Sequence, residues 1–417
     1  MTRTAKTSQT SASSATAGFE RLLVLDVLRG FALFGVLLVN LPFAALPMAE
    51  AMQPSVETGA AQLIAWALVK ALAETKFVSL FSLLFGIGLV LQIGRAEARG
   101  TGTRFYLRRL AILGLVGLTH GLLLWQGDIL LPYAVAGFVL FLLRRRSAKT
   151  LVMIALPLLV IGLLLSTGIA WVDDGSDAGD EELSALIGQS GTWQEVEERA
   201  WIEGPLELTL SVRAVEYALW LVISSLVSFN WHVMALFCLG AAIMKRGLLG
   251  AEHRPLHGGL AAAGLVSGLL LEGAAIALWL TDGFAPGAVN AIATFVHEIG
   301  SLLLAAGYLG SVAWLVHGGA GRLMSRVEGA LAAVGRTALT SYLGQSVIFN
   351  LLFPWFGLGL WGQLGRAELI AMAVLIFAAQ ALVASLWLRF FAMGPCEWLW
   401  RWATYGQRPR LLARAAA

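Results

Sequence analysis

The sequence predicts an all-α, polytopic membrane helix bundle, and three observations predict it. The composition is 58% hydrophobic against 13% charged, with a mean hydropathy of +0.77, far outside the range of a soluble domain. The apolar residues gather into about ten runs, each near the ~20 residues that cross a bilayer. The basic residues gather into every second connection between those runs, as Lys and Arg do on the cytoplasmic side.

Taken in order, residues 1–20 are rich in Ser, Thr and Ala without apolar periodicity and are expected to be a disordered cytoplasmic tail. A signal peptide fits poorly, because the charged lead-in would extend to Arg29. Residues 21–171 hold about five N-terminal spans, centred near Leu38, Leu84, Leu118, Gly137 and Leu159. Within them, Ala60 to Ala73 reads as a separate amphipathic or re-entrant helix ahead of the second span. Residues 172–207 form an acidic extracytoplasmic connection, whose second half mixes Trp193, Val196, Trp201 and Ile202 with carboxylates at helical spacing. That half is expected on the outer membrane surface. Residues 208–391 hold about five further spans, centred near Val227, Leu269, Ala306, Gly344 and Ala378. The run from Ala214 to Met244 exceeds one crossing at about 1.5 Å per residue, so it tilts, breaks or protrudes. Residues 392–417 are a basic cytoplasmic tail.

The basic connections are Arg95 to Arg109, Arg144 to Lys149, Lys245 to Arg254, and Arg322 with Arg326. With the spans counted as ten, both termini are cytoplasmic. The net charge of +3 is spent on this alternation, which argues against nucleic-acid binding. The two cysteines, Cys238 and Cys396, lie far apart and imply no disulfide framework.

An ionisable side chain at membrane depth is costly unless it is paired or lines a wet cavity, so such residues mark the candidate site. His120 lies near the outer end of the third span and Asp128 opens the fourth, across the turn Trp125-Gln126-Gly127. A carboxylate that orients an imidazole makes a general base, and it can equally tie two helices together. Lys76, at the outer end of the second span, could stabilise an oxyanion or reach out to the headgroups. Glu298 is costlier to bury than its neighbour His297, and the two point about 100° apart on their helix. His232 reads as a satisfied packing histidine. On the inner side Asp26 and Arg29 share a helix face and can pair. Arg336 opens the ninth span within GRTALTSYLGQS, whose Thr and Ser residues read as inter-helix glue and whose Gln345 is a binding candidate. Arg29 and Arg336 together suit the phosphates of a cytosolic ligand. No metal is expected, since the six histidines include no HxxxH or HxH spacing. Gly264 and Gly268 form a GxxxG, suited to close helix packing or a homodimer.

The segments RLLVLDVLRGFALFGVLLVNL, KFVSLFSLLFG, THGLLLWQGDILLPYAVAG, VGRTALTSYLGQS and RFFAMGPCEWLWR, in this order between Arg21 and Trp402, resemble the YeiB-type bacterial integral membrane proteins. Their C-terminal half is a domain of unknown function. Through its first helix the chain is also distantly similar to heparan-alpha-glucosaminide N-acetyltransferase and other transmembrane acyltransferases. The matching residues are Leu25, Asp26, Leu28, Arg29, Gly30 and Asn40. The resemblance implies a multi-pass protein of the bacterial inner membrane. It also implies acyl transfer from cytosolic acyl-CoA or acetyl-CoA to a hydroxyl or amine of a small-molecule or glycan-like acceptor. The acetyltransferase uses a histidine after its first span, whereas Asn40 to Lys76 here contains none, so His120 would take that place. In that reading His120, Asp128 and Lys76 are catalytic, and Asp26, Arg29, His297, Glu298, Arg336 and Gln345 bind substrate. A proton-coupled transporter using Lys76, Asp128 and Glu298 is the alternative.

Overall fold

The computed structural model describes residues 4–54, 59–98, 100, 104–172, 180–226, 229–319 and 321–413. The N-terminal half comprises α1 (Thr4–Ala45), α2 (Met48–Met52), α3 (Ala60–Leu72), α4 (Lys76–Ala98), α5 (Arg104–Leu123), α6 (Leu130–Leu142) and α7 (Ala148–Val172). The acidic connection folds as α8 (Asp180–Leu186) and α9 (Trp193–Ile202). There follow α10 (Leu206–Leu226), α11 (Phe229–Lys245), α12 (Arg254–Asp282), α13 (Ala288–Gly318), α14 (Arg322–Arg336), α15 (Ala338–Leu352), α16 (Arg366–Phe390) and α17 (Pro395–Tyr405). The apolar part of α1 is Leu23–Ala45; residues 4–20, expected as a disordered tail, continue the same helix toward the N-terminus, and their side chains are not described.

Each of the ten apolar runs falls on a helix or helix pair, but among the described residues seven helical stretches are by themselves long and apolar enough to cross a membrane. The Ala214 to Met244 run breaks: Leu206–Ser224 and Phe229–Lys245 meet at 61° and make an eighth crossing if taken as one span. The fourth and ninth runs fall on α6 and α15, of 13 and 15 residues, short for a slab of ~30 Å. Polar groups start both helices inside the bundle. Asp128 Oδ2 accepts the Leu131 N–H of the first turn of α6 at 2.9 Å. Glu397 Oε1 accepts the N–H groups of Leu339 and Thr340 at the start of α15, at 2.6 and 3.1 Å. Broken helices are tolerated at membrane depth where protein or water satisfies the freed backbone, so these breaks mark the polar interior.

The Ala60 to Ala73 stretch is indeed a separate helix, divided from α4 at Thr75, whose φ is 67°. Its Trp66 packs edge-on against Trp279 of α12, and Gln62 Oε1 accepts the Ala367 N–H at the start of α16.

The two halves share one core, in which Leu25, Leu28, Leu80 and Tyr133 pack with Val233, Phe237, Leu309 and Val334. Small residues allow this. Gly335 of α14 lies against the Asp26 carbonyl of α1, and Gly30 against that of Leu331, so a Cβ at either would strike backbone. Gly264 fits against Gly307 of α13, where a Cβ would lie 2.6 Å from the Gly307 nitrogen. The GxxxG face is therefore used within the chain.

The bundle has two chemically different ends. At one, the Lys245 ammonium donates to the carbonyls of Arg144 and Arg146, drawing two basic connections together as the charge alternation requires. At the other, α9 closes over Trp125, Phe349 and Phe353. Of the residues expected to face the outer membrane surface, Trp193, Val196 and Trp201 are buried in protein and Ile202 is exposed. The Trp355 N–H bonds the Trp201 carbonyl at 2.9 Å, and Glu197 accepts the Met48 N–H at 3.2 Å.

Candidate functional site

The polar residues fall into two centres and one hollow. The first centre joins α5, the start of α6, and α15. His120 Nδ1 lies 2.8 Å from Asp128 Oδ1, and His120 Nε2 lies 2.8 Å from Ser346 Oγ. All three side chains are buried. An ionised carboxylate only accepts, so Nδ1 carries the proton and Nε2 is left to accept the Ser346 hydroxyl. Gly117 makes room: a Cβ there would come within 2.7 Å of Asp128 Oδ2. Tyr342 lies one turn below Ser346, its ring 5.2 Å from the imidazole and its hydroxyl accepting the Ile129 N–H at 3.3 Å. Above, Arg213 of α10 donates to the Leu123 carbonyl at 2.6 Å and to Asn350 Oδ1 at 2.9 Å, fixing the end of α5 to α15.

The second centre lies between α4, α12 and α13. Lys76 Nζ lies 2.8 Å from Glu272 Oε1, both side chains fully buried. Glu272 Oε2 lies 2.8 Å from His297 Nδ1, and the Ser301 hydroxyl donates to Oε1 at 3.0 Å. The Lys76 ammonium also donates to the Lys70 carbonyl at 2.7 Å. Lys76 thus shares no partner with His120, and the expected oxyanion role beside the imidazole is corrected. Its charge is taken up by a carboxylate 196 positions later, which spacing cannot reveal. Glu298 faces elsewhere, accepting the Ser166 hydroxyl of α7 at 3.3 Å, so the adjacent pair does diverge.

Between the first centre and the basic end is a cavity of about 960 Å³. Arg29, Arg95, Arg109, Arg336 and Arg401 line it with Glu397, and its inner wall is formed by Ile129, Leu130, Tyr133 and Tyr342. Arg29 pairs with Asp26 Oδ1 at 3.1 Å, and Arg109 stacks over Trp400 at 3.5 Å. His120 and Asp128 do not line this cavity but sit one side chain behind it. Beyond them Trp125, Gln126, Arg213, Phe349 and Asn350 line a pocket with room for about one water, ~10 Å³. In that layer Trp125 Nε1, Gln126 Oε1 and Arg213 Nε are buried with no protein partner.

Gln345 donates to Gln380 of α16 at 3.1 Å, and Gln380 to the Ser341 carbonyl at 3.0 Å, a helix tie and not part of the hollow. His232 meets Ser79 at 2.6 Å, as a packing histidine does. Among the described residues no cluster could hold a metal. The sequence reading missed Glu272, Ser346 and Arg213 as site residues. Glu272 carried the signal already applied to Glu298, a lone carboxylate deep in an apolar run. Ser346 stood in the polar stripe of the ninth run and was read as inter-helix glue, because a helical serine is ordinarily satisfied by its own backbone.

Fold and interior together define a multi-pass helical membrane protein with a polar, partly hollow core. Residues 243–407 match the family described as a protein of unknown function (DUF418). The chain is 34% identical over 408 residues to the uncharacterized protein YxaH of Bacillus subtilis strain 168, covering 93% of this chain and 94% of that one. It is 33% identical over 399 residues to the uncharacterized protein YeiB of Escherichia coli K12, covering 92% of this chain and 96% of that one. An uncharacterized 39.9 kDa protein of Bacillus acidopullulyticus is 24% identical over 401 residues, 95% of this chain and 98% of that one. The chain belongs to the YeiB family.

Proposed function

We propose that this protein transfers an acyl group from cytosolic acyl-CoA to a hydroxyl or amine acceptor near the outer face of the bacterial inner membrane. The observation that carries the reading is a buried histidine, held at both ring nitrogens, directly behind the end of an arginine-bearing cavity. Guanidinium groups suit the phosphates of a nucleotide donor, and the apolar and tyrosine side chains that also line the cavity suit a pantetheine arm and acyl chain. Asp128 fixes the imidazole so that Nε2 is free to take a proton. Arg29 of the first helix, part of the segment whose resemblance raised this expectation, is itself a cavity residue.

Everted membrane vesicles test this by exposing the basic end and retaining native acceptors. With acetyl-CoA, release of free CoA should fall ~10²–10⁴-fold in His120→Ala while the folded protein is retained. A variant releasing CoA at the parent rate contradicts the mechanism.

The Lys76–Glu272–His297 network favours a second reading, proton-coupled transport, because a charge network at this depth is costly and typical of proton paths. It predicts solute flux in proteoliposomes that follows a pH gradient, without CoA release, and that stops in Glu272→Gln.

A further inference from the structure

We propose that Ser346 is the nucleophile of a two-step transfer and carries the acyl group as a serine ester between the two faces. This rests on the acyl-transfer reading above and goes beyond it, since a general base alone needs no covalent carrier.

Three observations lead there. First, Asp128, His120 and Ser346 form an unbroken carboxylate–imidazole–hydroxyl chain at 2.8 and 2.8 Å, the arrangement that activates a hydroxyl for attack on an acyl carbon. The Ser79–His232 contact at 2.6 Å supplies a contrast, because among the described residues no carboxylate bonds that imidazole. Second, Ser346 directs its hydroxyl away from its own helix. Ser82, Ser166 and Ser311 each donate to the carbonyl four residues back, whereas the Ser346 hydroxyl meets His120 Nε2. Third, its position on α15 is intermediate between two spaces. Tyr342, four residues before, lines the large cavity at the basic end, and Asn350, four residues after, lines the small outer pocket. Residues four apart share a helix face and are about 6 Å apart along the axis.

That third point decides between one step and two. The two spaces have separate linings with the buried chain between them, and the outer one has room for about one water, so it admits only the reacting hydroxyl or amine of an acceptor on the side of the chain opposite the donor cavity. An acyl group on Ser346 Oγ needs to move only by rotation of a side chain already between them. In the first step Oγ attacks the thioester carbonyl and its proton passes to Nε2. The C–S bond breaks, and the thiolate leaves as the thiol with that proton. In the second step the acceptor gives its proton to Nε2 and attacks the serine ester. The ester C–O bond then breaks, and Oγ recovers the proton. No oxidant, reductant or further reactant is required.

The test uses the full chain in lipid nanodiscs with radiolabelled acetyl-CoA, and with palmitoyl-CoA for chain length, quenched in acid. The parent protein should give a burst of CoA and a protein-bound label on the peptide containing Ser346. That label should resist neutral hydroxylamine and be lost in alkali, as an oxyester is. Ser346→Cys should shift the label to a thioester cleaved by neutral hydroxylamine, a signature that a packing role would not produce. Ser346→Ala should lower the burst and label by ~100-fold or more with an unchanged elution profile and melting midpoint. If Ser346→Ala keeps the parent burst, or the parent turns over acetyl-CoA without any label, the carrier is refuted and direct transfer by His120 stands. If the parent neither releases CoA nor becomes labelled with either donor, the carrier and the acyl-transfer reading fall together.

Discussion

Glu272 holds the most demanding position of any single residue, since one carboxylate at full burial satisfies an ammonium, an imidazole and a hydroxyl. Removing one member of a buried pair leaves the other unpaired and typically costs ~3–5 kcal/mol, whereas replacing both by apolar groups is often near neutral. Glu272→Leu should therefore lower the melting midpoint of the detergent-solubilised protein markedly, and Lys76→Met on top of it should restore most of the loss. A double variant less stable than the single would show that the ammonium is satisfied without Glu272. At the end closed by α9, burial pushes the Glu197 carboxyl up to about 7 against the pull of the Met48 N–H, with Glu198 and Glu216 also facing it. A carboxyl with a raised folded value favours the fold while protonated. Its contribution is complete below the ordinary value of 4.5 and is lost as pH rises through about 7. The melting midpoint of the parent should fall relative to Glu197→Gln between pH 5 and pH 8. Parallel pH profiles would contradict this.

Among the elements, the contact of α1 with α14 sets the wall that carries Arg29 and Arg336, and it depends on backbones meeting at Gly30 and Gly335. Gly335→Ala should cost ~1–3 kcal/mol by overpacking and weaken whatever the arginines bind, while Gly94→Ala, with nothing within 4 Å, should leave both unchanged. Equal effects of the two substitutions, read by thermal melting, would mean that helix propensity rather than contact decides. What the sequence disclosed also sorts by element. Long apolar runs were legible because bilayer thickness fixes their length, and His120 with Asp128 because burying them alone is costly. The short α6 and α15 were read as whole spans, since hydropathy averages across the polar breaks at Asp128 and Thr337 that shorten them. Arg95, Arg109 and Arg401 were read as topology determinants and prove also to line the hollow. One charge serves both purposes, and the loop pattern shows only the first. Ser346 and the Lys76–Glu272 pair depend on contacts over 226 and 196 positions, which periodicity does not encode.

The whole molecule is a helical bundle with a cationic hollow at one end and the buried Asp128–His120–Ser346 chain behind that hollow. The proposed transfer requires the arginines of the hollow to hold a polyanionic donor, an attraction that salt should screen and that loss of guanidinium groups should remove. Titration calorimetry of the chain in nanodiscs with desulfo-CoA measures this directly, free of any chemistry. Binding should be saturable, weaken ~10-fold or more on Arg336→Ala with Arg401→Ala, and weaken again with added salt. Absence of binding, or binding indifferent to both arginines, would contradict it.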